Sequence, residues 1–272
     1  MQKDYTSLFI YYALRISICI TLGIFILIIG FIFVKGLAHL SPKLFALEYN
    51  SQNVSMMPSI INTLNMMLLS LLIAIPFGVF GAIFLSEYGK KNSKIKHIIA
   101  IASETLVGIP SIVYGLFGYL VFVHYLGFGY SFLSGSLTLS IMILPLILRS
   151  AQEALHSVPL SLREASFALG ASKLRTLFSI ILPVAIPGIL AGVILSIGKI
   201  FGESAALLYT AATVPQVAGL LDSARTLSVH MYVISSEGLH MNEAYSTAMV
   251  LIIIVLLINI ISNFLAKKLT KA

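Results

Sequence analysis

The chain is poor in the groups that perform covalent chemistry and poor in charge. Its 272 residues include a single cysteine, Cys19, which excludes an internal disulfide and leaves no second thiol for a metal site. Cys19 sits within an apolar run, where a thiol behaves as a small hydrophobe. There is no H-E-x-x-H and no pairing of His and Cys at metal-ligand spacing; His39, His97, His124, His156, His230 and His240 are scattered. The nearest approach to a nucleotide loop is GVILSIGKI, Gly192 to Ile200. Five residues rather than four separate its glycines, and Ile200 stands where Ser or Thr would hold magnesium. No nucleophile is arranged beside a base, which disfavours a hydrolase. The sequence therefore implies no metal or cofactor bound by this chain and no ATP-hydrolysing site of its own.

What the chain has in quantity is apolar length. Hydrophobic residues make up 58% and charged residues only 10%, and the mean hydropathy is +1.01, far from the averages of soluble domains. Crossing about 30 Å of hydrocarbon takes roughly 20 apolar residues in a helix, because each backbone polar group must be satisfied within its own segment. Charge is absent from Ile16 to Val34, Ser59 to Ser86, Tyr125 to Leu148, Thr176 to Gly198 and Ala244 to Ala266, and the run Ile98 to Val123 is interrupted only by Glu104. These segments predict an all-α, polytopic bundle of six membrane helices in one domain. The first run is longer than the core of a secretory signal and no small-residue cleavage site follows it, so it reads as a helix of the mature protein.

Lys and Arg residues set the orientation. Of the seventeen, twelve fall on one side, including Lys90, Lys91, Lys94, Lys96, Arg163, Lys173, Arg175, Lys267 and Lys268, against Lys35, Lys43 and Arg225 on the other. The positive-inside rule puts both termini and the loop around Glu164 in the cytoplasm of a cell membrane. The net charge of +7 is then a matter of topology and gives no support to nucleic-acid binding. Glu87 to His97 reads as a short basic turn, and Val214 to Met241 as a partly helical external segment along the membrane surface. Pro76, Pro110, Pro145, Pro183 and Pro187 lie inside spans, where each removes a donor and bends its helix. Gly188, Gly192, Ser196, Gly198 and Gly202 form a small-residue stripe that lets helix backbones approach closely.

Two places are candidates for function. Pro159 to Leu169 reads as a short helix opening on a Ser161 to Glu164 capping box and stopping at Gly170, and a second runs from Ser172 to Ile181. Together they form an exposed cytoplasmic knuckle. The other candidates are charges inside spans, each costing roughly 2.5 to 3.5 kcal/mol to insert. Lys199 and Glu203 stand four apart, on one helix face, and either neutralise each other or line a polar path. Arg149 ends the fourth span, where it either snorkels to the interface or offers its planar fork to an oxyanion. Glu104 lies nearer a helix end and carries less information.

The knuckle resembles the cytoplasmic "EAA" loop of ABC importer permeases. Glu164 and Ala165, then Gly170, then Ile180, Leu182 and Pro183 match that family's spacing, with Ser166 in place of the second Ala. FLSEYG at Phe84 to Gly89, ETLVGIPSIVYGLFG at Glu104 to Gly118, LPLILR at Leu144 to Arg149, IGKIFGESAALLYTA at Ile197 to Ala211 and TLSVHMYVISSEG at Thr226 to Gly238 are similar to phosphate permeases of the PstA type. Lys199 stands where these proteins usually have Arg, and Ala206 where Pro is usual.

The resemblance implies a five-helix permease core over about 58–268, an added helix over about 12–35 and a coupling loop over about 151–182. It also implies a homologous second permease as partner, two ATPase subunits that carry ATP and magnesium, and an external phosphate-binding protein. Arg163, Glu164, Ala165, Ala168 and Gly170 would then couple to the ATPase, and Arg149, Lys199 and Glu203 would line the substrate path. A permease for sulfate or molybdate needs the same donors. An ion-gradient carrier using Glu104, Lys199 and Glu203 as a relay would leave the Glu164 spacing unexplained.

Overall fold

The computed structural model describes residues 5–88 and 94–271, and among these the ordered elements are all helical. The basic turn read at Glu87 to His97 falls partly, over 89–93, outside the described residues. Helix α1 runs Tyr5–Ala38, α2 Met57–Ile83, α3 Lys94–Gly108, α4 Ser111–Gly118 and α5 Phe132–His156. Two short helices follow, α6 Leu160–Ala168 and α7 Lys173–Thr176, then α8 Leu182–Gly202, α9 Ala205–Thr210, α10 Leu227–Glu237 and α11 Met241–Lys271. Wider π-type turns extend α2 over Phe84–Tyr88, α4 over Tyr119–Tyr125 and α7 over Leu177–Ile181. Five helical stretches among the described residues are long and apolar enough to cross a membrane, and a sixth crossing exists if α3 and α4 count as one.

Helix α5 is the centre, with about two-thirds of its most apolar stretch buried, whereas that of α1 is wholly uncovered. The reason is in the side chains. Helix α5 carries Ser134, Gly135, Ser136, Thr138 and Ser140 in its first turns, all buried, so α2 and α9 can close on it. Its hydroxyls do not go unpaired: Ser140 Oγ donates to the Ser136 carbonyl at 2.7 Å, and Ser70 Oγ on α2 donates to the same carbonyl at 3.0 Å. Helix α2 buries Ser59, Asn62, Thr63, Met66, Met67, Ser70, Leu71, Ala74, Gly78 and Ala82, one stripe at helical spacing. Leu139, Met142, Ile143 and Ile147 of α5 meet Met66 and Leu71 of α2 and Ile197, Ile200 and Phe201 of α8 in the main core. A smaller core near the α6–α7 loop joins Ala82, Ile83, Leu155, Leu177, Ile181 and Ile189. Helix α1 touches α11, where Ser246 Oγ donates to the Gly36 carbonyl at 2.8 Å.

The third span is not straight. Helix α3 stops at Gly108, Pro110 begins the next turn, and α4 leaves at 104° to α3. Proline lacks the donor that would continue α3 and disfavours helical geometry in Ile109 before it. The freed Leu106 carbonyl is repaid by the Tyr114 hydroxyl at 2.8 Å. By contrast α2, α5 and α8 run on through Pro76, Pro145 and Pro187 as single helices.

The segment expected to lie along a membrane surface is instead packed into the bundle. Leu227, Ser228, Val229, His230 and Ile234 of α10 are buried. The irregular segment leading into it is held by α2: Asn62 Nδ2 donates to the Gln216 carbonyl at 2.8 Å, Asn62 Oδ1 accepts from Ala218 N at 3.0 Å, and Thr63 Oγ1 accepts from Leu227 N at 2.8 Å. The same segment caps α5, since Phe132 N donates to the Asp222 carbonyl at 2.8 Å and Leu133 N to that of Leu220 at 2.9 Å. Backbone hydrogen bonding, rather than a period of apolar residues, holds this stretch, so hydropathy alone could not locate it.

Candidate functional site: the coupling loop and the charges of the bundle

Helix α6 begins where Pro159, in extended geometry, delivers the chain to Leu160. The capping box expected at Ser161 to Glu164 is not used, because Ser161 already lies inside the helix and the N-cap position is Pro159. Its other end is as read from the sequence. Gly170 has φ +81°, its N–H donates to the Phe167 carbonyl at 2.9 Å and Ala171 N to that of Ser166 at 3.1 Å. This paired closure requires a left-handed residue, which glycine adopts without steric cost. After the turn, Ser172 caps α7 by accepting from Arg175 N at 3.4 Å, and the chain runs through Leu177–Ile181 directly into α8.

The knuckle presents an apolar tip. Leu169 is 89% exposed, and Leu160, Phe167 and Leu174 stand out beside it. Glu164, Ala165, Ala168 and Gly170 are exposed on the same small unit. Arg163 is not among them. Its guanidinium turns inward, pairing with Glu87 at the end of α2 and donating through Nη2 to the Leu155 carbonyl at 2.8 Å. Arg163 was expected to make contacts outward; it is an internal tie. With side chains only 17% and 8% exposed, the Arg163–Glu87 pair is shielded from water, and removing one partner would leave an uncompensated charge at a cost of about 3–5 kcal/mol. Ser166, the departure from the "EAA" pattern, is buried and shares a 2.8 Å hydrogen bond with Thr176 Oγ1, latching α6 to α7.

The charges in the bundle separate into two settings. Arg149 lies on α5 between two carboxylates, with Nη1 3.2 Å from Glu104 Oε1 on α3 and Nε 3.1 Å from Glu153 Oε1. These groups line a cleft of about 280 Å³ with Ser103, Gln152 and His156. Glu104, set aside in the sequence reading, is thus a direct partner of Arg149, and the fork is already engaged. Lys199 and Glu203 do not neutralise each other. Helix α8 ends at Gly202, Glu203 is extended with φ −79° and ψ 123°, and its Oε1 accepts from Ala206 N at 2.9 Å, opening α9. Four residues define one helix face only while the helix lasts. Lys199, half-buried, has no ion pair among the described residues.

The glycine stripe also divides. A Cβ on Gly188 would lie 2.6 Å from Ala154 Cβ and one on Gly192 2.3 Å from Ser150 Cβ, so these two bring α8 onto α5. A Cβ added at Gly198 or Gly202 would meet nothing within 4 Å among the described residues. The sequence reading missed two close backbone crossings: Gly36 of α1 against α11, where an added Cβ would be 2.7 Å from the Tyr245 carbonyl oxygen, and Gly115 of α4 against α9, where it would be 2.8 Å from Ala206 Cα. It also missed the polar knot at Arg225. Its guanidinium lies 5.5 Å from the Tyr49 ring centroid and 3.4 Å from His230 Nδ1. Burial, with the Arg225 charge second, pushes the His230 imidazole down to about 3, so His230 is held neutral.

Residues 74–272 match the family described as "Binding-protein-dependent transport system inner membrane component". The probable ABC transporter permease protein YqgI of Bacillus subtilis is 37% identical over 230 residues, 77% of this chain and 78% of that one. The phosphate transport system permease protein PstA 1 of Mycobacterium tuberculosis is 39% identical over 136 residues, 50% of this chain and 44% of that one. In structure, a bacterial ABC transporter involved in the import of the acidic polysaccharide alginate superposes with a TM-score of 0.71 at 15% identity, covering 98% of this chain and 99% of that one. That likeness is one of fold. Because the family match spans well over half of the chain, it belongs to the binding-protein-dependent inner membrane components, the multi-pass permeases of ABC importers, and is not the ATPase.

Proposed function

We propose that this permease carries inorganic phosphate inward by alternating access, driven by ATP hydrolysis on two partner ATPase subunits. The observation that carries the cargo assignment is the 39% identity to a phosphate transport system permease. The α6–α7 knuckle faces the cytoplasm, as do both termini, and its apolar tip at Leu169 with Glu164 beside it docks on the ATPase. A homologous second permease completes the membrane unit, and an external phosphate-binding protein delivers the anion.

The two cations take different parts in this reading. At about 1.5 Å rise per residue, Arg149 stands about 10 Å from the knuckle end of α5, and Lys199 about 26 Å along α8 from Leu182. Lys199, without a carboxylate partner among the described residues, attracts the arriving anion near the outer end. Arg149, held by Glu104 and Glu153, presents net negative charge at the inner end and keeps that end closed to anions until α3 and α5 separate. Glu203 serves the path indirectly by setting the start of α9. The test is uptake of labelled phosphate into cells expressing the complete transporter, with unlabelled phosphate, sulfate and molybdate as competitors. Only phosphate competes at micromolar concentration if the assignment holds. Equal competition by sulfate or molybdate returns the chain to the broader class of oxyanion permeases.

A further inference from the structure

Helices α5 and α8 are joined to the knuckle by the chain itself, through Ser157–Pro159 and through the turn Leu177–Ile181. Helix α2 has no such continuity, yet it is gripped by both halves of the knuckle at one residue. Arg163 of α6 pairs with the Glu87 carboxylate, and Lys173 of α7 donates to the Glu87 carbonyl while its ammonium lies 4.6 Å from the centroid of the Tyr88 ring. The same Arg163 guanidinium holds the Leu155 carbonyl at the end of α5. A planar fork that binds a carboxylate and a carbonyl at once fixes direction as well as distance, and its burial keeps water from substituting for either partner.

Beyond Glu87, α2 is a continuous rod. It is keyed to α5 by Gly78, where a Cβ would fall 2.8 Å from Ile147 Cγ2. At its far end Asn62 and Thr63 hold the segment 216–227 that caps α5 and leads into α10. Twenty-five residues of helix separate Glu87 from Asn62, about 37 Å at 1.5 Å rise per residue. The gripped Glu87 lies within one wider turn, Phe84–Tyr88 at the end of α2, and a second, Leu177–Ile181, leads out of the knuckle into α8. Wider turns of this type occur frequently at functional sites.

We propose that the Glu87–Arg163 pair is the strut through which movement of the knuckle drives α2, and through α2 the Asn62–Thr63 hold on the segment 216–227 at the opposite end of the bundle. Glu87 is thus a positioning residue for transport. The proposal rests on the knuckle being the point of ATPase action. The test uses the assembled transporter in proteoliposomes, with inorganic phosphate as the probe, and compares wild type, Glu87→Gln and the exchanged pair Glu87→Arg with Arg163→Glu. Phosphate moved per ATP hydrolysed falls at least tenfold in Glu87→Gln, while ATP hydrolysis stays within twofold of wild type, and the exchanged pair, which restores the ion pair but not the bond to the Leu155 carbonyl, exceeds Glu87→Gln at least threefold. A ratio within twofold of wild type in Glu87→Gln overturns the proposal. If Glu87→Gln does not assemble, Glu87→Asp, which keeps the charge and shortens the reach, is measured against the same two outcomes.

A second readout is independent of cargo. With Cys19 replaced by Ser, spin labels at Phe80 on α2 and Leu162 on α6 report one narrow distance through the ATP cycle in wild type, and a broadened, ATP-dependent distribution in Glu87→Gln. An unchanged distribution overturns the strut. Wild type that hydrolyses ATP without moving phosphate would instead sink the cargo assignment, and the strut would then be judged on the distances.

Discussion

Lys199 and Arg149 carry the same formal charge in opposite electrical settings, and the contrast decides which should matter to an anion. Lys199→Gln is expected to lower phosphate uptake about tenfold, a loss of roughly 1.4 kcal/mol, while Lys199→Arg keeps most of it. Glu104→Gln, which releases one arm of Arg149, is expected to raise leakage of phosphate through the idle transporter, read as efflux from preloaded vesicles. At Ser166 the expectation runs through a partner. Ser166→Ala leaves the buried Thr176 hydroxyl without its bond and costs about 1–3 kcal/mol, whereas Ser166→Ala with Thr176→Val is nearly neutral; hydrogen exchange of α6 and α7 reads the difference. His230 supplies a pH dependence. Its folded value, about 3, lies below the ordinary 6.5, so protons bind the unfolded chain more strongly and stability falls as pH drops from about 6.5 toward 3. His230→Phe should flatten that fall in thermal melts of the detergent-solubilised protein. The sequence showed Arg149, Lys199 and Glu203 as charges in apolar surroundings, but not their partners, because Glu104 is 45 residues from Arg149.

Helices whose packing depends on absent side chains respond to methyl groups at some positions and not at others. Gly192→Ala forces α8 away from Ser150 and should destabilise by about 1–3 kcal/mol, as overpacking does, while Gly198→Ala, with open space around it, should stay within about 0.5 kcal/mol. Melting temperatures of the two variants in one detergent decide it. A spacing of four found the stripe, but a stripe does not say which residues face a neighbour; that depends on where α5 lies. The long spans were legible because their apolar runs exceed the thickness of a bilayer. The break at Pro110 was legible only as a proline, since its 104° angle is set by what α4 finds to pack against, namely α9 at Ala206. The α10 region escaped because Asn62 and Thr63, more than 150 residues away, supply its hydrogen bonds.

Across the whole molecule, three helices, α2, α5 and α8, run from the knuckle at one end to the segment 216–228 that is hydrogen-bonded across their other ends. The loop spacing from Glu164 to Pro183 made the knuckle visible in the sequence, and under the proposed function it is the place where work enters. The inward turn of Arg163 was not legible from the same spacing, because adjacency to Glu164 in sequence says nothing of a partner at Glu87. The measurement that tests the central claim most directly is phosphate uptake by proteoliposomes in three forms: this chain alone, the full complex, and the full complex with Glu164→Lys. Uptake that requires ATP and the ATPase partners, and is lost in Glu164→Lys while the complex stays membrane-inserted, is the predicted result. Phosphate uptake by this chain alone, or undiminished ATP-driven uptake in Glu164→Lys, would contradict it.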